Sequence, residues 1–306
     1  MEIELLGVEP LRFADGLPVR AASAIAPFGD GFLVVQDDGT HAAWFAGGSV
    51  TGVRLLPPVE GLDVFAEAAG TKHLKPDLEA ACEVTIDGDP AVLVLGSGSS
   101  PARMRVVLVR PGRGRPRATV SDLAPLYAAV SDALFVPADL LNLEGACLVD
   151  GVLRWFHRGL PSAGFPSASV DLTPPEVLAA VLGRIDPGDV EVRNPLRYDL
   201  GEVAGVGLAL TDAVALPDGS ILASAAAENS PNPRDDGPVV GSALVLLDGD
   251  RVRQVTPLPT VEGRVSKVEG LMVLHVGEEA VEIRAVVDVD DPGTASLAMR
   301  LRVRWS

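Results

Sequence analysis

Leu143-Glu144-Gly145-Ala146-Cys147-Leu148-Val149-Asp150-Gly151-Val152-Leu153-Arg154-Trp155-Phe156-His157 reads as two strand-length apolar runs joined by a two-residue turn. Asp-Gly is a pair that tight β-hairpins select, because positive φ costs least at such residues. The same order of features occurs five times: a small or acidic residue, an apolar run, a Gly/Asp turn, a second apolar run and a polar loop. The leading residues are Ser23, Glu79, Glu144, Asp212 and Glu269, at intervals of 56, 65, 68 and 57 residues. The corresponding turns are Gly29-Asp30-Gly31, Asp87-Gly88-Asp89, Asp150-Gly151, Pro217-Asp218-Gly219 and Gly277-Glu278-Glu279. Self-similarity at such a period marks a repeat architecture.

Two more strand-like runs follow in each unit. They are Arg103–Arg110 and Pro116–Val120 in the second, and Ser242–Leu247 and Arg251–Leu258 in the fourth. Four strands per unit, repeated radially, make a β-propeller, which leaves no long exposed sheet edge. We therefore expect an all-β fold, a five-bladed β-propeller of four-stranded antiparallel blades, with residues 1–306 as a single domain. The fifth unit is one strand short after Leu297–Trp305, and Glu2–Leu11 is expected to supply the missing strand. A sixth blade within Ser167–Leu200 is the alternative. Two insertions carry helical signals: 122–134, behind Ser121 as N-cap, and 174–184. The second follows Thr173, with Pro174 at the first helical position and Glu176 three residues after the cap. Either insertion lids a face of the propeller or decorates its rim.

The chain carries 42 acidic and 25 basic side chains, a net charge of −17, and its pI is near 4.6. Phosphate neutralisation by Lys and Arg supplies most nucleic-acid affinity, so this balance excludes nucleic acid and disfavours an anionic membrane. A hydrophobic content of 47% excludes disorder. No apolar stretch approaches the ~18 residues of a membrane span, and Met1-Glu2-Ile3-Glu4 lacks the basic-then-apolar order of a secretory signal. Cys82 and Cys147 are too few for a disulfide framework or a cysteine-based zinc site. Each lies three residues after the leading residue of its unit, and we read both as small buried strand residues. A soluble, cytoplasmic setting is expected.

In a propeller the first strand of each blade lines the axis, so Ser23, Glu79, Glu144, Asp212 and Glu269 should converge as a ring. Four carboxylates in a narrow channel repel one another, and burial raises their pKa values further, unless a cation neutralises them. Oxygen ligands without His or Cys suit Ca²⁺, which takes ~6–8 oxygens; Mg²⁺ demands a stricter octahedron. The alternatives are a hydrated acidic channel, or side chains that bond neighbouring backbone N–H groups.

The loops after each second strand form an outer layer. They include Asp37-Asp38-Gly39-Thr40, Gly96-Ser97-Gly98-Ser99-Ser100, His157-Arg158-Gly159, Ala225-Ala226-Ala227-Glu228-Asn229 and Asp288-Val289-Asp290-Asp291. Arg103, Arg158, Lys75, Lys267, Ser97 and Ser99 are candidate contacts for a small anionic molecule. His157 and Glu228 are candidate acid/base groups, with a structural hydrogen-bonded role as the alternative for His157. Together these point to metal-dependent hydrolysis of a small phosphorylated or otherwise anionic substrate. A binding or scaffold propeller with a structural ion is the second reading. A glycosidase with paired carboxylates is the third, since sugar sites stack on aromatic rings and Phe, Trp and Tyr make up only 4% of the chain. No P-loop, nucleophile elbow, His-Glu-x-x-His or dinucleotide fingerprint is present.

Lys75-Pro76-Asp77-Leu78-Glu79-Ala80, Gly96-Ser97-Gly98-Ser99, Leu143-Glu144-Gly145, Ala225-Ala226-Ala227-Glu228, Asp235-Asp236-Gly237, Gly241-Ser242 and Lys267-Val268-Glu269-Gly270 carry a resemblance. This set resembles a family of uncharacterised bacterial β-propeller proteins along most of the chain, which implies a fold and no activity. More distantly, the ring pattern resembles the calcium-activated nucleotidases (apyrases), five-bladed propellers with a central Ca²⁺ held by Ser and Glu at blade-equivalent positions. Ser23, Glu79, Glu144 and Glu269 are similar to members of that ring, and Lys267-Val268-Glu269-Gly270 to its last motif. Gln36-Asp37-Asp38-Gly39-Thr40 is similar to the Asp-Asp loop of the same family. Asp212 stands where that pattern implies a serine. The resemblance implies a metal site more than it implies nucleotide hydrolysis.

Overall fold

The computed structural model describes residues 1–306 except 231, 233, 234, 236, 290, 292 and 306. Five antiparallel sheets each run outward from an inner strand. Blade 1 consists of Ala22–Phe28, Gly31–Gln36, His41–Ala46 and Ser49–Arg54. Blade 2 is Leu78–Ile86, Asp89–Gly96, Arg105–Arg110 and Arg117–Asp122. Blade 3 is Leu143–Val149, Val152–His157, Ser167–Leu172 and Arg193–Tyr198. Blade 4 is Val206–Ala215, Ile221–Glu228, Val239–Asp248 and Arg251–Pro257, with the short Glu202–Val203 paired to its inner strand. Blade 5 is Lys267–Val276, Ala280–Asp288 and Leu297–Arg304, completed by Glu2–Pro10 lying antiparallel to Leu297–Arg304.

The five-bladed ring and its closure by the N-terminal strand match the sequence reading. The sixth-blade alternative does not: Ser167–Leu172 and Arg193–Tyr198 are the two outer strands of blade 3. Each inner strand packs against the inner strands of both neighbouring blades. The ring therefore closes without a free inner edge.

Apolar side chains fill the seams between blades. Between blades 2 and 3, Leu93, Leu95, Val106 and Leu108 meet Trp155 and Val170, all essentially inaccessible. Each such burial contributes roughly 1.5–3 kcal/mol. The glycine after a ring glutamate has a packing reason. A Cβ on Gly145 would lie 3.1 Å from the Asp212 Cα and the Ala213 nitrogen, and one on Gly270 would lie 2.9 Å from the Ala24 Cα. The next blade's inner strand passes that close.

The two insertions are helices: α1 spans Ala124–Leu134 and α2 spans Pro174–Val181. Their caps differ from expectation. Ser121 lies in the outer strand of blade 2 and its hydroxyl donates to the Val181 carbonyl, while Asp122 Oδ1 accepts from Ala124 N at 2.9 Å. Thr173 makes no side-chain cap, and the Glu176 carboxylate accepts from Glu191 N rather than closing a capping box. Leu126, Tyr127, Val130 and Leu134 from α1, with Val177, Leu178, Ala180 and Val181 from α2, are buried in the core shared by blades 2 and 3. Both helices therefore fill that seam and neither lids the axis. No helix among the described residues is long and apolar enough to cross a membrane.

Candidate functional site

Every inner strand slips its register by one residue at the same height: between Ala22 and Ala24, Leu78 and Ala80, Leu143 and Gly145, Leu210 and Asp212, and Val268 and Gly270. The looped-out residues are Ser23, Glu79, Glu144, Thr211 and Glu269. A bulge re-aims its side chain, and here five bulges form the ring. The fourth position is therefore Thr211, and Asp212 is corrected out of register by one residue. A hydroxyl, that of Thr211, therefore occupies the fourth place.

The two hydroxyls act alike. Ser23 Oγ donates to the Leu78 carbonyl at 2.6 Å and Thr211 Oγ1 to the Val268 carbonyl at 2.5 Å. Each thus fastens its blade to the residue just before the ring glutamate of the next. Asp212 instead turns to blade 5, where its Oδ2 accepts from Leu271 N at 2.6 Å. Burial pushes its carboxyl well above the usual range.

Around the ring lies a network of ion pairs. Lys75 Nζ contacts Asp37, Asp77 at 3.2 Å and Glu79 at 3.9 Å. Oxygens of those three carboxylates lie within 4.8 Å of one another. Arg103 pairs with Asp77 at 2.9 Å. Arg158 bridges Glu144 at 3.0 Å and Glu228 at 2.6 Å. Lys267 bridges Glu228 at 3.0 Å and Glu269 at 2.8 Å. At the mouth, Arg20 pairs with Asp38 at 2.6 Å and Lys72 with Glu67 at 3.6 Å. The inner network sets six carboxylates against four cations, a formal excess of two negative charges.

Burial is the main cause of the raised pKa values among these acids, with their mutual charges adding to it. Burial, with the neighbouring Asp37 and Asp77 charges, pushes Glu79 well above the carboxylate range. Burial and Glu144 raise Glu269 to about 8, despite Lys267. Burial raises Asp37 to about 7, with Asp288 and Asp77 adding to it against Lys75. Glu228 goes the other way: burial opposes its charge, but Lys267, Arg158 and the Gly237 N–H hold it down to about 2. Glu144 is only 6% exposed, and its burial raises it too. Its Oε1 accepts from Asn142 Nδ2 at 2.7 Å, whereas its Oε2 has no partner.

Glu79, Glu144 and Glu269 line an axial cavity of about 40 Å³, space for an ion or a water. It shares Asp37, Lys72, Lys75, Glu79, Lys267 and Glu269 with an outer chamber of about 420 Å³, whose wall adds Ser23, Phe65 and Asp288.

The other expected contacts fall differently. His157 is fully buried in blade 3, with its Nδ1 3.0 Å from the Asn142 carbonyl oxygen. Burial lowers its pKa to about 4, and it lines neither cavity. A role as acid/base at the chamber does not fit that placement. Glu228, ionised between two cations, positions Arg158 and Lys267 and is a poor proton donor. The Ser97 and Ser99 hydroxyls both bond the Asp77 carboxylate. The Gly-Ser loop is thus a cradle, and the anion in it is the protein's own. Cys82 and Cys147 are buried free thiols. Burial pushes Cys82 up to about 12 and Cys147 well above its usual value, so both are inert. Asp236 and Asp290, singled out in the sequence, lie outside the described residues.

Asp77, Asn142 and Thr211 were missed as site residues. A signal for the first two was present: each stands two residues before its ring glutamate, as Lys267 does before Glu269.

Fold and site together define a five-bladed β-propeller with an acidic axial chamber. The chain belongs to a family of unknown function, DUF6910, which matches residues 71–292. No curated protein matches it. Among solved structures it is similar to the GH43 endo-arabinanase from Bacillus licheniformis, at 11% identity over 94% of this chain and 95% of that one, TM-score 0.45. It is also similar to MPT-4, a mannose phosphorylase from Leishmania mexicana solved with phosphate ion, at 13% identity over 99% and 89%, TM-score 0.49. A luciferin-regenerating enzyme shares 8% identity over 98% and 95%, TM-score 0.43. At such identities no activity transfers.

Proposed function

We propose that the axial chamber binds one divalent cation, Ca²⁺ by preference, through Glu79, Glu144 and Glu269. The observation that carries this reading is Glu144 Oε2. It is a buried carboxylate oxygen with no hydrogen-bond partner, on the wall of the axial cavity, beneath an outer chamber lined by seven acids and four basic side chains. Leaving such a group unpaired is costly, and a hard cation is the partner an all-oxygen set selects. Lys75, Arg158 and Lys267 already touch the same carboxylates. An incoming ion competes with these tethered cations, so the affinity should be modest.

The geometry favours a binding propeller whose ion ties blades 2, 3 and 5 together over a metal-dependent phosphoester hydrolase. A bound ion would supply Lewis acidity for the hydrolytic alternative. However, His157 is remote, Glu228 is held ionised and is a poor proton donor, and in the cation-free chain Arg103, Arg158, Lys75 and Lys267 are all engaged by carboxylates. The glycosidase reading is weaker again, since Phe65 is the one aromatic among the described residues on the chamber wall. The two buried thiols suit a reducing compartment, hence a cytoplasmic location.

Titration calorimetry with CaCl₂ on the wild type and on Glu144→Gln tests the cation reading. Wild-type binding near one ion per chain, weakened at least about tenfold in the variant (~1.4 kcal/mol), is expected. Equal heats in both proteins would contradict it.

A further inference from the structure

We propose that the chamber takes two ligands in a fixed order: the cation first, then a small oxyanion recognised by Arg158 and Lys267. This rests on the cation reading above and extends it to a second ligand.

Arg158 and Lys267 have the same arrangement. Each is held between one ring glutamate and Glu228, Arg158 between Glu144 and Glu228, Lys267 between Glu269 and Glu228. Glu228 is anchored independently, because its Oε1 accepts from Gly237 N at 2.8 Å and from Ser230 Oγ at 2.9 Å. The ring half of each pair is the half a divalent cation would take. Once Glu144 and Glu269 turn to the ion, both basic groups keep Glu228 alone. Two cations then share one carboxylate, and each has N–H donors released toward the cavity that both line.

Charged N–H donors beside a hard cation select an oxyanion over a neutral ligand. Lys267 also borders the 420 Å³ outer chamber, which has room for a sulfate-sized group above the ion. Without the cation the same donors are consumed by carboxylates, and Arg103 is held by Asp77 and Ser99. The cation-free protein therefore has no basic group to offer among these four. Anion binding should appear only with the cation in place. Linkage requires the reverse effect to be equal, with the anion tightening the cation by the same factor.

The test is calorimetric titration of sodium sulfate into the whole chain, in CaCl₂ and in EDTA, at ionic strength matched with NaCl. Saturable sulfate binding at least about tenfold tighter in Ca²⁺, with Ca²⁺ tightened equally by sulfate, is expected. Lys267→Met should separate this from general damage: it removes a competitor and a donor, so Ca²⁺ should bind as well or better while the sulfate coupling is lost. If that variant fails to fold, the reciprocal wild-type titrations decide alone. Ca²⁺ binding with sulfate affinity unchanged between the two buffers would overturn this proposal and leave the cation reading standing. Absence of Ca²⁺ binding would overturn both.

Discussion

Thr211 holds the place in blade 4 that Glu79, Glu144 and Glu269 hold in their own blades. Its hydroxyl is buried and bonded to the Val268 carbonyl. Thr211→Val keeps the shape and removes the bonds to the Val268 carbonyl and to Ser224 Oγ, so urea unfolding should show a loss of about 1–3 kcal/mol, with Thr211→Ser restoring most of it. Protonation gives a second prediction at this scale. Glu269 and Asp37, at about 8 and about 7, keep protons in the folded chain at pH values where unfolded carboxyls have lost them. The folded state then binds more protons than the unfolded one, and stability falls as pH rises. In EDTA, thermal unfolding should therefore weaken from about pH 4–5 up to pH 8, the interval between ordinary carboxyl values and those of these two groups. Saturating Ca²⁺ should flatten that slope; a slope identical with and without it would contradict the account. The register error at Asp212 has the same origin as the missed hydroxyl. Charge is visible in a sequence and a one-residue bulge is not, so the carboxylate of Thr211-Asp212 drew the alignment one position too far.

The inner strands owe their spacing to the residue after the bulge. A Cβ would meet the backbone of the following blade at 2.9 Å at Gly270 and at 3.1 Å at Gly145. Gly145→Ala and Gly270→Ala should each cost about 1–3 kcal/mol by overpacking, read as a lower denaturant midpoint at unchanged m-value. A change below about 0.5 kcal/mol in both would mean that the blades can shift apart freely. Hairpins were legible because their turns repeat Gly/Asp chemistry at a fixed place. The helices were legible from Pro174 and from the apolar runs behind them. Their caps were not, because the strand Arg117–Asp122 continues through Ser121 and uses its hydroxyl elsewhere.

Closing the ring brings together residues that no local pattern connects. Arg158 meets a glutamate 70 positions away in Glu228, and Lys75 meets Asp37 across a blade boundary. The convergence of ring acids could be read from the repeat; which cation answers which acid could not, since that depends on how five blades pack. The same closure made the predicted anion-binding side chains into counter-ions of the protein's own carboxylates. What remains is the buried, unpartnered carboxylate oxygen of Glu144 on the axial wall, and the cation reading stands or falls on it. Metal analysis of the purified chain, with thermal unfolding in Ca²⁺ and in EDTA, tests it most directly. One Ca²⁺ per chain, and at about 100 times Kd a stabilisation of ~2.7 kcal/mol, is the result predicted. No bound metal, with superimposable unfolding curves in the two conditions, would contradict it and leave the axial acids sharing protons among themselves.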